Sequence, residues 1–462
     1  MVRTIKQMKR IAMLLAAVGL LPPVGSLAQT PSQDTTALGL NQAIEYGIKN
    51  AVSTRDAQRI IASAEQRKRE AISRGYPQVS AEVGYTNFLS LPISLIPSEF
   101  TGAPPGGEPL EVQFGTPHNV SAKAEVSQLV IDGAYFLGVK ATRMLVNVEV
   151  ERTKLSEIDL RHNITQSYYS GLIANLQVAS VKRNLDLVKK LAGETRAYLD
   201  AGFVEEIEAD RLDRAVAELG ISLNSALRDQ SLSYDMLRYY MNMDLNQPIR
   251  LTDRLDSLLL TDALSGQEGF APENRQEYKL LLLQEETNEM NVRYNRNLFL
   301  PTLTAFASYE QQAQRQSFDF FDSDQPWFEI AVVGFNLNIP IFDGFYKRSL
   351  LEQAQLQLEG VLLQQESVGM ALQLEVSRAR SNYLSTADRL VSLQQSRDLA
   401  EKIYNITQIK YREGVGSSLE LNTALQDFQN AEDQYIAGMY QLLIARTDLK
   451  KALGKYPTND PR

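Results

Sequence analysis

The chain has 462 residues, with 47 basic and 56 acidic side chains and a formal net charge of -9. It contains no cysteine and two histidines, which excludes disulfides, thiolate metal sites and cysteine nucleophiles and disfavours a histidine-based metal centre. The acidic balance argues against nucleic acid as a partner, because phosphate binding needs a basic surface. We therefore expect no metal and no cofactor.

The first residues have the pattern of a secretory signal peptide. A basic start precedes an apolar stretch from Ile11 to Leu21, and small residues follow at Ser26-Leu27-Ala28. This pattern is typical of a cleaved export signal and is too short to span a membrane. We predict a signal peptide over 1–28 and an exported mature chain; a buried N-terminal helix is the alternative.

Long gaps between prolines predict where helices lie. No proline occurs between Pro117 and Pro248 or between Pro340 and Pro457. Because proline breaks helix interiors, these gaps can hold continuous helices. Apolar side chains recur there every three or four residues, as at Val181, Leu185 and Val188, which indicates a narrow helical seam. The predicted helices cover about 134–200, 205–242, 345–412 and 418–454.

Four short segments alternate apolar and polar residues, which is the pattern of half-exposed strands. They are Pro77–Tyr85, Val120–Val126, Leu303–Tyr309 and Ala331–Ile339. We predict two hairpins, over about 77–132 and 301–342. The first hairpin contains a Pro/Gly-rich stretch around Gly102 to Gly107, which predicts an exposed surface loop.

The two halves of the chain resemble each other. Pro77-Gln78-Val79-Ser80-Ala81 matches Pro301-Thr302-Leu303-Thr304-Ala305, and each long helix is followed by a glycine turn, at Gly202 and at Gly414. Each half therefore reads as helix, strand, strand, long helix, turn and helix. The predicted repeats are 29–250 and 251–462, with an equatorial linker at about 244–272 where they meet.

Exported strands that alternate in this way suit an outer-membrane β-barrel. Aromatic residues lie where an interfacial girdle is expected: Tyr76, Tyr85, Phe88, Trp327 and Phe328. Four strands cannot close a barrel, and an open edge is not tolerated in lipid. Several copies must share one barrel, with 8 strands from two copies or 12 from three, at the four strands per chain that the pattern predicts.

The order and repetition of these features resemble the TolC-like outer membrane efflux protein family. The resemblance runs from Leu40-Asn41-Gln42-Ala43-Ile44 to Lys451-Ala452-Leu453-Gly454 and includes the turn Gly414-Val415-Gly416-Ser417-Ser418-Leu419-Glu420-Leu421. It implies a mainly α fold with a small β part. It further implies a homotrimer in which an α-helical barrel, the periplasmic tunnel, joins one shared 12-stranded outer-membrane β-barrel.

The resemblance also implies a function. The chain would be the outer-membrane exit duct of a tripartite efflux or type I secretion system in a Gram-negative bacterium, extending into the periplasm. It would conduct substrates passively from an inner-membrane pump and a periplasmic adaptor, in contact with outer-membrane lipid, and would not be an enzyme. The alternative is an exported periplasmic coiled-coil scaffold or adaptor without channel activity.

The family's periplasmic tip and gate fall on particular residues here. The tip-locking tyrosine falls on Tyr411 and its acidic partner on Glu208, whereas the arginine of that lock is replaced by Gly416. One of the family's two acidic entrance positions matches Glu420, and the other is Thr423. Further acids that could supply charge nearby are Glu205, Glu206 and Asp210. The adaptor-docking turns would be Gly202, Phe203 and Val204, and Gly414, Val415, Gly416, Ser417 and Ser418.

Simpler interpretations stand beside these. Ser417 and Glu420 have capping-box spacing, and acids in the first turn of a helix suit its dipole. We expect Gly202 and Gly414 to adopt positive φ or to make close backbone contacts. His118 and His162 are interpreted as surface residues, and a cluster in the second hairpin could bind calcium or be an ordinary polar loop: Asp319, Asp322 and Asp324.

Overall fold

The computed structural model describes residues 36–97, 109–260, 269–322 and 324–457. The predicted signal peptide (1–28) and the stretch from Gly102 to Gly107 lie outside the described residues. In chain order the elements are β1 (Thr36–Leu38), α1 (Leu40–Asn50), α2 (Val52–Ser73), β2 (Gln78–Asn87), β3 (Ile93–Ile96), β4 (Leu110–Gln113), β5 (His118–Ile131), α3 (Gly133–Asp200), α4 (Glu206–Met241), β6 (Ile249–Leu251), α5 (Leu255–Leu260), a 3₁₀ turn (Pro272–Asn274), α6 (Gln276–Asn297), β7 (Thr302–Arg315), β8 (Phe328–Asn338), α7 (Tyr346–Arg412) and α8 (Ser418–Ala452).

The four predicted strands are present and form one antiparallel sheet in the order β2-β5-β7-β8. Each hairpin pairs its own strands, and β5 pairs with β7 to join the two hairpins. Strands β3 and β4, which the sequence did not predict, form a separate small hairpin between β2 and β5. Among the described residues, β2 and β8 each pair along one edge only.

The two faces of this sheet differ in chemistry. One face, the apolar face, carries the row Val79, Val126, Ala307 and Val333. The opposite face, the polar face, carries the row Glu82, Lys123 and Glu310, which lies three residues along the strands from the first row. Two valines of the apolar face, Val79 and Val333, are 74% and 82% exposed, so the described residues leave this part of the face uncovered.

Of the aromatic residues expected in the girdle, Tyr85 lies on the apolar face, whereas Phe88 and Phe328 lie on the polar side of the sheet. Tyr85 pairs with Val120 on the apolar face. Phe328 pairs with Gln312, which lies on the polar face, and Phe88 lines a cavity on that same face. The reason is strand parity, because a shift of one residue moves a side chain to the other side of the sheet.

The long helices pack as antiparallel pairs, α3 with α4 and α7 with α8. At 68 residues α3 spans roughly 100 Å, since an α-helix rises ~1.5 Å per residue. The predicted seam is confirmed, because Val181, Leu185 and Val188 are buried in one cluster. That cluster also takes in Leu212 of α4 and Leu421 of α8, so all four helices share one core along this part of the bundle.

A second core lies where the two halves of the chain meet. Strands β1 and β6 pair in parallel, and the fully buried Tyr168 of α3 donates its hydroxyl hydrogen to Leu38 O at 3.0 Å. Arg275, at the start of α6, lies 2.8 Å from Glu277 and 3.1 Å from Glu375, and it donates to Ala452 O at 2.9 Å. The buried guanidinium therefore binds the end of α8 to α6 and α7, which offsets its desolvation.

The surface interpretation of His162 is wrong. Its side chain is 13% exposed and its Nε2 lies 3.4 Å from Asp448 Oδ1, because α8 packs over this part of α3. Burial and the nearby Lys451 lower the pKa of His162. His118 begins β5, with its Nδ1 2.8 Å from the Tyr85 hydroxyl.

The calcium interpretation of the acidic cluster finds no support. Asp319 Oδ1 lies 3.5 Å from Arg315 Nε, and Asp322 accepts a hydrogen bond from the Asp324 N–H at 3.1 Å. Across the described residues, no group of three or more metal-ligating side chains is arranged to hold an ion. Within those same residues, no helix combines the length and apolarity needed to cross a membrane.

Candidate functional site

The candidate site is the turn end, defined as the first turn (201–205) between α3 and α4 and the second turn (413–417) between α7 and α8. The two turns have the same backbone design. Gly202 and Gly414 have φ values of +80° and +75°, as predicted from the sequence. In this left-handed region glycine avoids the steric cost of a Cβ.

Hydrogen bonds repeat from one turn to the other. Phe203 N–H donates to Tyr198 O at 2.9 Å, and Val415 N–H donates to Lys410 O at 3.0 Å. Each bond spans five residues and closes the end of a long helix, as in a Schellman motif. A Cβ on Gly202 or Gly414 would meet nothing within 4 Å, so the backbone angle, and not lack of space, requires glycine at both.

The starts of the following helices are capped differently. Ser417 precedes α8, and its Oγ accepts the Glu420 N–H at 3.2 Å. This is one half of the predicted capping box. Glu205 precedes α4 and makes no side-chain cap. The start of α4 is therefore stabilised by the interaction of the helix dipole with two nearby carboxylates, those of Glu206 and Glu208.

Glu208 also caps the other helix. Its Oε2 accepts the Ser418 N–H at 2.7 Å, and its Oε1 accepts from Arg211 Nη1 at 3.2 Å. Arg211 Nη1 also lies 3.4 Å from the Oγ of Ser418, which is fully buried. We call Glu208, Arg211 and Ser418 the cross-cap, since a carboxylate of α4 satisfies the first turn of α8.

Tyr411 makes a separate contact. Its hydroxyl lies 3.0 Å from Thr195 Oγ1 of α3, and Thr195 is 1% exposed. Burial is the main cause that raises the pKa of Tyr411, and the charge of Glu208 adds to it. Glu208 is thus close enough for its charge to affect the pKa of Tyr411. The two side chains nevertheless hydrogen-bond to different residues, Tyr411 to Thr195 and Glu208 to Ser418.

Gly416, which stands where the family has an arginine, has little room for a side chain. A Cβ there would lie 3.2 Å from Tyr411 N and 3.3 Å from the carbonyl carbon of Lys410. A side chain at this position would therefore need the backbone of Lys410 and Tyr411 to shift by a few tenths of an ångström. The cation that contacts Glu208 here is Arg211, a residue that the sequence did not indicate.

The predicted entrance acids lie at the surface. Glu205, Glu206, Asp210 and Glu420 are exposed. Asp210 lies 3.9 Å from Arg196, which also contacts Asp213. Thr423 is exposed and donates its hydroxyl hydrogen to Leu419 O at 2.9 Å, so it adds no charge.

Exposed apolar side chains mark the outer side of both turns. Phe203 is 79% exposed and Val415 is 77% exposed, and Ile207 and Leu419 follow on the helices. Ser418 differs from the other expected docking residues because its side chain is buried under α4. Ser418 contacts Arg211 and Glu208 of α4 and is not exposed, whereas docking remains a prediction for the exposed residues of the two turns.

Sequence and structure comparisons relate this geometry to known proteins. Residues 272–455 match the family model described as outer membrane efflux protein. No curated protein matches the chain in sequence. The fold is similar to the outer membrane protein VceC of Vibrio cholerae, with a TM-score of 0.66 and 16% identity over 90% of this chain and 96% of that one.

Two further structures are similar. The CmeC outer membrane channel of Campylobacter jejuni has a TM-score of 0.67 and 15% identity, covering 90% of this chain and 85% of that one. The open state of the MtrE outer membrane channel of Neisseria gonorrhoeae has a TM-score of 0.70 and 15% identity, covering 90% and 88%. The resemblance to outer membrane efflux proteins is thereby confirmed, through the family model for the second repeat and through the fold for most of the chain.

Proposed function

We propose that three copies of this chain, whose second repeat matches the outer membrane efflux proteins, form an outer-membrane channel. It serves as the exit duct of a tripartite efflux or type I secretion system. A periplasmic adaptor and an inner-membrane pump deliver the substrate, and the channel conducts it passively across the outer membrane of a Gram-negative bacterium. The chain acts as a conduit and not as an enzyme.

One observation carries this proposal: within the described residues, the four-stranded sheet has two unpaired edges and an apolar face with exposed valines. In lipid, every peptide group must find a partner, so an open sheet must be completed by other copies. Three copies supply twelve strands, an even number in the range of outer-membrane barrels. The apolar face then meets lipid, and the row of Glu82, Lys123 and Glu310 faces the water-filled interior.

The helices support the same assembly. Their flanks carry apolar side chains that the described residues leave exposed, such as Ile221 and Leu232 on α4 and Leu356 and Leu363 on α7. Adjacent copies would bury these side chains and close a tunnel about 100 Å long. The scaffold alternative leaves the uncovered sheet without a role.

The turn end fits the entrance of such a tunnel. Its exposed acids, Glu205, Glu206, Asp210 and Glu420, would form negative rings when three copies surround one axis. The exposed Phe203 and Val415 would give the adaptor an apolar surface to bind. The cross-cap and the Tyr411 contact would hold the two turns together when the channel is not transporting substrate.

Cysteine cross-linking tests the assembly, because the chain has no cysteine of its own. Ser80→Cys on β2 is combined in turn with cysteine at Ile330, Val332 or Gly334 on β8, and outer-membrane fractions are oxidised. We expect cross-linked dimers and trimers for at least one pair. The matched control joins Lys123→Cys to Glu310→Cys, which lie directly opposite within one chain and should cross-link only internally.

The contradicting result is a soluble monomer that needs no detergent and gives no cross-link between copies with any pair. That result would favour the periplasmic scaffold. A detergent-requiring oligomer that dissociates only on heating would agree with the channel.

A further inference from the structure

The small hairpin β3–β4 leaves the sheet at one end of β2 and β5. Its two strands pair in register, with Ile93 opposite Gln113 and Ile96 opposite Leu110. We call the residues that connect it to the sheet, 88–92 and 114–117, the stem. The stem continues the β2–β5 ladder, because Phe88 N–H donates to Pro117 O at 2.8 Å.

The stem folds over one side of the sheet. A cavity of about 370 Å³ is lined on one side by the stem residues Phe88, Leu91 and Phe114 and on the other by Gly84, Ser121 and Gln312. Gly84, Ser121 and Gln312 lie opposite one another in register on three neighbouring strands. They are two residues from Glu82, Lys123 and Glu310 and therefore share the polar face.

Two local features hold the stem in this direction. Gly115 has a φ of +112°, which turns the chain in a way that residues with a Cβ rarely adopt. Asn119 donates its side-chain N–H to Thr116 O at 3.1 Å, and Thr116 donates its hydroxyl to Asn119 Oδ1 at 2.9 Å. Asn119 pairs with Thr86 and Gln314 on the polar face, so this exchange ties the stem to that face.

We infer that the stem narrows the outer mouth of the channel and so limits the size of the solute that can pass. The inference rests on the proposed function, in which the polar face lines the interior. Three stems would then project into one opening, each presenting bulky apolar side chains above a polar wall. A solute moving outward would pass the row of Glu82, Lys123 and Glu310 before it met the stems.

The stem residues fit this role better than that of an outer surface. Phe88 is 42% exposed and Phe114 is 56% exposed, although both line the cavity on the polar side of the sheet. Apolar side chains left open to water in one chain are covered when three copies bring their stems together at the axis. The same contact would make the opening small.

Size-graded labelling from outside intact cells tests the inference. Ser80→Cys places one thiol on the polar face below the stem, and a small maleimide is compared with a bulky poly(ethylene glycol) maleimide. In the otherwise unchanged chain we expect the small reagent to react and the bulky one to react poorly. Asn119→Ala should raise the rate with the bulky reagent about tenfold, equivalent to about 1.4 kcal/mol of entry barrier.

The second variant, Phe114→Ala, removes a bulky side chain of the stem and leaves the Asn119–Thr116 hydrogen bonds in place. It should also raise the reaction rate with the bulky reagent. Phe318→Ala is the matched control, because Phe318 packs against Tyr85 at the same end of the sheet but on the apolar face, with ring centroids 5.5 Å apart. It should leave both rates unchanged. Leu95→Cys on the exposed hairpin should react with both reagents in every background.

Equal reaction of Ser80→Cys with both reagents in the unchanged chain would overturn the inference. So would unchanged labelling in both Asn119→Ala and Phe114→Ala. A chain that reaches the membrane fraction but gives no heat-dissociable oligomer would refute the channel itself, which separates failure of the proposed function from failure of the stem alone.

Discussion

The first and second turns share a backbone and differ in how their helices are stabilised. Both close a long helix with a left-handed glycine and a hydrogen bond that spans five residues. Yet the second turn caps its own helix with Ser417 and receives a carboxylate from Glu208, whereas Glu205 of the first turn caps nothing. The two turns therefore share their backbone geometry and differ in the charged and polar groups that cap the following helix.

This difference makes the first repeat a support for the second. Glu208 belongs to α4 but accepts a hydrogen bond from the start of α8, so the second turn receives a cap from a neighbouring helix, whereas Glu205 makes no side-chain cap at the first. A perturbation of the cross-cap should loosen the second turn selectively.

The largest effect is expected from Glu208→Ala. It leaves the Ser418 N–H without its acceptor and Arg211 without its carboxylate, which should cost about 2 kcal/mol of local stability. Amide exchange in the first turn of α8 should rise roughly thirtyfold, with little change in the first turn of the molecule. Glu205→Ala is the control and should be neutral; equal effects of the two substitutions would contradict the cross-cap.

The next effect concerns the glycines. Gly202→Ala and Gly414→Ala each force a Cβ into the left-handed region and should cost about 1 to 1.5 kcal/mol. Because the two angles and their open surroundings match, the losses should agree within about 0.5 kcal/mol when each turn's amide exchange is measured. Gly193→Ala within α3 is the control, since no positive φ is found there and the helix should gain slightly. Full protection in both turn variants would contradict the argument.

Tyr411→Phe should cost about 1 kcal/mol, because Thr195 keeps a buried hydroxyl without its partner. Combining it with Thr195→Val should recover most of that loss, since both polar groups are then removed. A double-mutant cycle on thermal unfolding in detergent measures the coupling. No coupling would show that the contact contributes nothing.

The same tyrosine gives a pH dependence with a defined sign. Its pKa is raised in the folded chain, so the stability it contributes is present below the unfolded tyrosine pKa of about 10 and is lost as pH rises through the folded value. The thermal unfolding midpoint of Tyr411→Phe should therefore decrease less steeply with rising pH in this range than the midpoint of the unchanged chain. An identical slope would contradict it.

The smallest structural effect is expected from Glu420→Gln. The carboxylate is exposed while the backbone N–H of Glu420 makes the cap with Ser417, so the turn should keep its stability. Its removal should weaken cation preference, measured as a smaller reversal potential in a salt gradient across a planar bilayer. Glu413→Gln, on the other side of the second turn, is the comparison. An unchanged reversal potential would contradict the proposal that the Glu420 carboxylate lines the entrance.

Local signals in the sequence were sufficient for much of the fold. The proline gaps located α3 and α7, since a helix of this length needs only the absence of a breaker and a repeating apolar seam. Gly202 and Gly414 marked the turns because few residues tolerate positive φ. Alternation located the four strands of the sheet, although it misplaced Phe88 and Phe328, where a single residue of register decides the face.

Contacts between distant segments were not accessible in the same way. Ser418 and Glu208 are separated by 210 residues, and each alone looks like an ordinary residue of a helix start. His162 looked exposed because the packing of α8 over α3 leaves no local mark. The hairpin β3–β4 was missed because four-residue strands are too short to show a period beside a Pro/Gly-rich stretch.

The open edges of the sheet have a consequence for the exchange of subunits in the proposed assembly. Strand β2 has 10 residues and β8 has 11, and in the proposed trimer each copy is held along both. A copy could leave only by exposing both ladders to lipid at once, where each unpaired peptide group costs several kcal/mol. In such a trimer, exchange of subunits after insertion would be blocked. The composition of each channel would then be fixed by the chains present when it assembled, and a damaged copy would be removed only together with its two neighbours.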